Sequence, residues 1–205
     1  GKGGKIGLWF DLDCQQALVQ RCQFHGYEYG GLVFELSSIV TVEDSLFQDC
    51  LGYGRSLGDD FVIGALTFGE TCWGVARRNR FVRCGVPVAV REANRTIDML
   101  RPTQRPYDIN YAWKPNEAQG RYWIADDYRG PNTKGTKSNL ATAEIDFVEN
   151  VVDGGRVLIN AGSIKGGQDP QAAFRALLGS IRFQGNQWAP SVRFDELERT
   201  GMTFA

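Results

Sequence analysis

The chain has 205 residues, 23 Lys and Arg against 24 Asp and Glu, and 25 glycines against 7 prolines. That length suits one domain with a real core, and the near-cancelling charge leaves no electrostatic footprint for nucleic acid or an anionic membrane. No apolar run approaches the ~18 residues that span a bilayer, and Cys14, Cys22, Cys50, Cys72 and Cys84, with a single histidine and no CxxC, do not suggest a zinc cage. The cysteines read instead as small buried hydrophobes.

In chain order, the first element is a strand from Gly7 to Asp13, with Leu8, Phe10 and Leu12 on one side and Trp9, Asp11 and Asp13 on the other. The segment Ala17–Phe24 follows, and its pattern returns without gaps at Val40–Phe47, Gly74–Phe81, Ile145–Val152 and Ile181–Trp188. Each copy has two apolar positions at period two, which make a short strand. A small polar residue then turns the chain (Cys22, Ser45, Asn79, Asn150, Asn186), and an apolar residue restarts a strand. Asparagine suits the corner because it tolerates tight bends and its amide bonds along a stack. The corners lie 23, 34, 71 and 36 residues apart. The shortest spacing fits one solenoid coil of ~20–25 residues, and the others require insertions or an extra coil. Phe24, Phe47, Phe81, Val152 and Trp188 are expected to point inward from one parallel sheet, with Arg21, Asp44, Arg78 and Glu149 forming an outer ladder of alternating sign. Cys50 and Cys84, each five residues past a corner, are expected to stack as thiols rather than bond as a disulfide.

Gly31–Ser37 and Gly85–Arg91 repeat the first strand, with Leu32, Phe34 and Leu36, then Val86, Val88 and Val90, facing the core. Phe61–Leu66 and Arg156–Ile159 are poorer candidates for the same sheet. The repeat disappears over residues 94–141, a long insertion rich in proline and aromatic residues, expected to flank the sheet bearing Asp11 and Glu35. Asp169 and Pro170 read as N-cap and first residue of a short helix ending near Gly179, and Asp195–Thr200 as a last one. The fold class is therefore all-β: one right-handed parallel β-helix over residues 1–205, with an irregular insertion and short C-terminal helices. Gly7 already opens a full coil, so preceding coils, or another copy in a homo-oligomer, are expected to cover that end.

Asp11 and Glu35 occupy equivalent outward positions on coils that look adjacent. Strands ~4.8 Å apart bring their carboxylates to roughly 5 Å, and like charges that close raise one pKa. One acid and one carboxylate is the division of labour that breaks a glycosidic bond. Asp11, Asp13 and Glu35 serve equally as a solvated edge or as oxygen ligands for Ca²⁺; no other cofactor is indicated. Trp9 offers a face for a sugar ring, Asp13 and Arg91 hydrogen-bonding partners, and Trp113 and Trp123 further platforms or pins for the long loop. His25, in the turn leading to the Glu35 strand, lines the cleft or is merely solvated.

Gly7-Leu8-Trp9-Phe10-Asp11 followed by Gly31-Leu32-Val33-Phe34-Glu35-Leu36 resembles the core motif of the β-helical β-xylosidases of glycoside hydrolase family 120, within the pectate-lyase-like superfamily. The resemblance spans residues 7–47 and implies Asp11 as nucleophile and Glu35 as general acid/base. The chain is much shorter than that family's members, with neither their inserted second domain nor their N-terminal coils evident. The expectation is a retaining glycoside hydrolase acting on an oligo- or polysaccharide. A polysaccharide lyase and a non-catalytic carbohydrate-binding or adhesive β-helix are the alternatives. Gly1–Lys5 shows no signal segment, so a secreted or periplasmic location presumes one already removed.

Overall fold

The structure is a computed structural model that describes residues 4–11, 14, 16–53, 62–92, 142–161 and 170–194. Its strands form three sheets of five, with every strand pair parallel. Sheet A holds β1 (Ile6–Phe10), β4 (Gly30–Glu35), β7 (Leu66–Gly69), β10 (Val88–Glu92) and β13 (Leu158–Ala161). Sheet B holds β2 (Leu18–Gln20), β5 (Ser38–Glu43), β8 (Cys72–Arg77), β11 (Ala143–Val148) and β14 (Ile181–Gln184). Sheet C holds β3 (Gln23–His25), β6 (Leu46–Gln48), β9 (Arg80–Val82), β12 (Val151–Val152) and β15 (Gln187–Trp188). The chain visits A, B and C in that order five times, and each strand pairs with its counterpart one circuit away. This arrangement fits a parallel β-helix. The helix α1 (Pro170–Gly179) lies in the last circuit between β13 and β14, and buries Phe174 and Leu177 in the common core. Among the described residues, no helix is long and apolar enough to cross a membrane.

The core is built from stacked side chains, because identical strand positions recur at the inter-strand spacing. Phe10, Phe34 and Phe68 stack on sheet A at 5.2 and 5.7 Å between ring centroids. Phe24, Phe47 and Phe81 stack on sheet C at 4.9 and 4.8 Å, with the planes tilted by only 11° and 7°. Val152 continues the sheet C column, buried, and the half-buried Trp188 closes it against Phe147, 5.6 Å away.

The corner from sheet B to sheet C carries the asparagine ladder that the sequence implies. Asn186 Oδ1 accepts from the Asn150 backbone N–H, Asn150 Oδ1 from Asn79 N–H, and Asn79 Oδ1 from Ser45 N–H, at 2.9, 2.9 and 3.0 Å. Ser45 Oγ accepts from Cys22 N–H at 3.0 Å. The amide nitrogens of Asn79, Asn150 and Asn186 donate in turn to the carbonyls of Val42, Ala76 and Phe147. Just before each rung the backbone turns left-handed, at Arg21, Asp44, Arg78 and Glu149 (φ 51–56°). That conformation is unfavourable for residues with a Cβ, and the ladder bonds offset it.

Several expectations need correction. The five aligned segments make two sheets, B and C, because the chain bends sharply at the rung between them. The 71-residue gap contains no extra coil, since Asn79 and Asn150 bond directly. Sheet A takes Leu66–Gly69 rather than Phe61–Leu66; Val62 and Ile63 precede the strand, and Ile63 bridges Tyr53 antiparallel. Val86 leaves the main core and packs with Val62, Ala89 and Leu158 in a smaller outer cluster. In the outer ladder, Asp44 and Arg78 do pair, at 2.8 Å. Cys50 and Cys84 are free thiols in one column, each donating to carbonyls of its own and the preceding circuit. The hydrogen-bond interaction with the neighbouring Cys50 thiol, together with burial, pushes the Cys84 thiol's pKa far up. The insertion, with Trp113 and Trp123, and residues 195–200 lie outside the described residues.

Candidate functional site on the outer face of sheet A

Strand register assembles the site. Phe10 pairs with Phe34, so Asp11 and Glu35, the next residues, fall side by side on neighbouring circuits. Glu35 then pairs with Gly69, Gly69 with Arg91, and Arg91 with Asn160. Because Phe34 faces the core, Asp11, Glu35 and Arg91 project from the opposite, outer face. A parallel row two residues earlier contains Trp9, Val33, Thr67, Ala89 and Leu158.

The two acids differ in environment. Asp11 is exposed, whereas Glu35 is buried at 3 % exposure. Arg91 begins two strands away from Glu35, yet its Nη2 donates to Glu35 Oε1. The guanidinium reaches that far because Gly69 stands between them: a Cβ there would come within 2.6 Å of Arg91 Nε. Arg91 Nη2 also lies 3.7 Å from Glu70 Oε2, and all three side chains are almost fully buried. Buried charges are tolerated only when paired, and here one cation is set between two acidic side chains, Glu35 and Glu70. The acid–acid repulsion expected from the sequence is thus opposed by a guanidinium in direct contact with Glu35.

Glu70 was not singled out as a site residue. It follows Gly69 at the corner with φ 44°, and sequence reading misses it because the strand it terminates begins at Leu66, where the weaker candidate ended. A charged residue two positions after an apolar Leu66–Phe68 pair was the available signal. At the same corner runs a second, unforeseen ladder. Ser37 Oγ donates to Glu35 O (2.9 Å), Thr71 Oγ1 to Gly69 O and Phe34 O (3.0 Å each), and Thr142 Oγ1 to Arg91 O (2.5 Å). Thr142 therefore holds the position of Thr71 one circuit on, beside the charged cluster.

Of the remaining expected residues, Trp9 is 43 % exposed beside the acids, on the side of the sheet that they share. Asp13 lies outside the described residues. His25 is not in the turn before the Glu35 strand: it belongs to β3 on sheet C, where its Nε2 meets Asp49 Oδ2 at 3.0 Å. It was misplaced because the last strand of the circuit extends through it. Arg91 is 2 % exposed and engaged with Glu35, so in this state it acts on the acid rather than presenting itself to solvent. Among the described residues, no three His, Cys, Asp or Glu side chains are grouped to hold a metal ion. A groove of about 740 Å³ lies elsewhere, against sheet C.

Comparison of the chain with protein-family models, curated proteins and solved structures finds no match in any of the three.

Proposed function

We propose that the chain is a right-handed parallel β-helix of the pectate-lyase-like kind, that it binds an oligo- or polysaccharide on the outer face of sheet A, and that Asp11 and Glu35 cleave it with retention of configuration. The observation that carries this reading is the β1–β4 register, which sets the two acids on adjacent strands. Strands ~4.8 Å apart match the ~5–5.5 Å between carboxyls of retaining enzymes and leave no room for the water of an inverting one. The motif resemblance of residues 7–47 supports the same pair.

In this mechanism Asp11, open to solvent, attacks the anomeric carbon while Glu35 gives its proton to the leaving oxygen. Glu35 becomes a carboxylate in that step, and the Arg91 guanidinium already bonded to it stabilises the charge as it forms. Glu35 then takes a proton from the water that hydrolyses the glycosyl ester on Asp11. Trp9 supplies an apolar face for the sugar ring.

The test is proton NMR of the first product together with two variants. Retained configuration is expected, with Asp11→Asn losing nearly all turnover and Glu35→Gln recovering most on substrates with very good leaving groups. Inverted product, or near-normal Asp11→Asn turnover, overturns the reading. The lyase alternative draws on Arg91 beside the acids, where it would neutralise a uronate, and its unsaturated product would absorb in the ultraviolet. A binding module yields no product.

A further inference from the structure

The groove against sheet C lies over the strand step Gln23, Leu46, Arg80, which are register neighbours on three successive circuits, and along the B–C corner beside it. Arg21, Arg78, Arg80 and Arg83 line it, and Asp44 is the one acidic lining residue among those described. That sign contrasts with a chain whose net charge is −1. Two of these arginines are clamped in bidentate pairs: Arg78 holds Asp44 at 2.8 and 3.0 Å, and Arg83 holds Asp49 at 2.7 and 2.8 Å. The other two, Arg21 and Arg80, are exposed and make no ion pair among the described residues. Asp44 feels Arg21 only as a longer-range attraction.

We infer that this groove binds an anionic glycan, a sugar chain bearing carboxylate or sulfate groups, at a site separate from the acids of sheet A. Exposed guanidinium forks match planar carboxylate and sulfate oxygens bidentately. The clamped pairs hold the groove's edges in place, so the groove is formed before a ligand arrives. Gln23 and Gln48 add amides that both donate to and accept from sugar hydroxyls. Gln48 spends one N–H on Asp49 (3.2 Å) and keeps its oxygen as an acceptor. Among the described residues, no aromatic ring lines the groove. Single-stranded nucleic-acid sites add base stacking on such rings to a basic groove, so the lining favours a ligand recognised by charge and hydrogen bonds alone. A chain lying across the strands meets one circuit after another, and repeated acidic sugars meet repeated side chains. The inference does not rest on the hydrolase reading.

The full chain is titrated calorimetrically with polygalacturonate oligosaccharides and, separately, with dextran sulfate oligosaccharides. Either one binding supports the site and tells carboxylate from sulfate recognition. The Arg21→Ala/Arg80→Ala variant is expected to bind about tenfold more weakly or worse, the scale of a lost charge-assisted contact, and raised salt is expected to weaken the wild type. Arg21→Gln/Arg80→Gln, which keeps polar surface, is the second variant should the alanine form lose its far-ultraviolet spectrum. Asp11→Asn is expected to bind as the wild type does, which separates this site from the catalytic proposal. The inference is overturned if neither glycan binds, if the arginine variants bind as tightly as the wild type, or if single-stranded DNA of equal charge displaces the bound glycan.

Discussion

At the corner between sheets B and C, each rung of the ladder is an asparagine amide, or a Ser or Cys side chain standing in its place. At the corner between sheets A and B, the rungs are the hydroxyls of Ser37, Thr71 and Thr142. The first corner is the same length in every circuit. The second admits residues 93–141 in one circuit and residues 162–169 with α1 in the next. Chemistry accounts for the difference. An asparagine rung accepts from one circuit while donating to another, so an inserted residue breaks bonds on both sides. The threonine rungs donate to strand carbonyls, and Thr142 still reaches Arg91 O although 49 residues separate it from Glu92. The buried cluster of Glu35, Glu70 and Arg91 sits beside the corner whose length varies. Rigidity and variability are thus assigned to different edges of the same stack.

The comparison is most easily broken at its rungs. Asn79→Ala leaves the Ser45 N–H and the Val42 carbonyl without their buried partner, and should destabilise the fold by about 3 kcal/mol. Thr71→Val keeps the side chain's shape and removes one donor, and should cost about 1 kcal/mol. Urea denaturation of both variants measures the gap, and equal costs would remove the distinction between the corners. Gly69→Ala sharpens the comparison at the charged cluster. Its Cβ would collide with Arg91 Nε, so the arginine must leave Glu35 or the strand must shift, at about 2 kcal/mol. Under the proposed mechanism, cleavage of substrates with poor leaving groups should fall further than that of activated ones, because Glu35 loses its positioning partner. A Gly69→Ala protein with wild-type stability and leaving-group dependence would mean that Arg91 has no need of the gap.

The smallest effect is expected with pH at the third edge of the stack. The hydrogen bond from Arg83 holds the Asp49 carboxyl down at about 2, below its ordinary 3.8. A depressed folded-state pKa adds stability that is complete above the unfolded value and is lost as pH falls toward the folded one. The melting temperature should therefore drop between about pH 4 and pH 2, and slightly less steeply in Asp49→Asn. An identical slope in the variant would show that the pair contributes nothing, as exposed pairs often do.

Much of this fold was legible because a repeating strand stack writes itself into local patterns. Period-two apolar residues and a small polar residue at fixed offset mark the B–C corner wherever it occurs. The phenylalanine columns follow, and so does the placement of Asp11 beside Glu35. Pro170 opens its helix as an N1 proline should. Less was legible where a feature depends on residues from different circuits. The weak β7 pattern hid Glu70, and the hydroxyl ladder spreads over Ser37, Thr71 and Thr142 with an insertion between the last two. His25 was assigned to a turn because three-residue strands carry too little alternation to show their ends. What the amino-acid order determined by itself was which residues recur in register, since that needs only the backbone's fixed repeat. Tertiary structure alone decided that Arg91 spans two strands to reach Glu35, because that contact depends on the missing Cβ of a third residue, Gly69, lying between them.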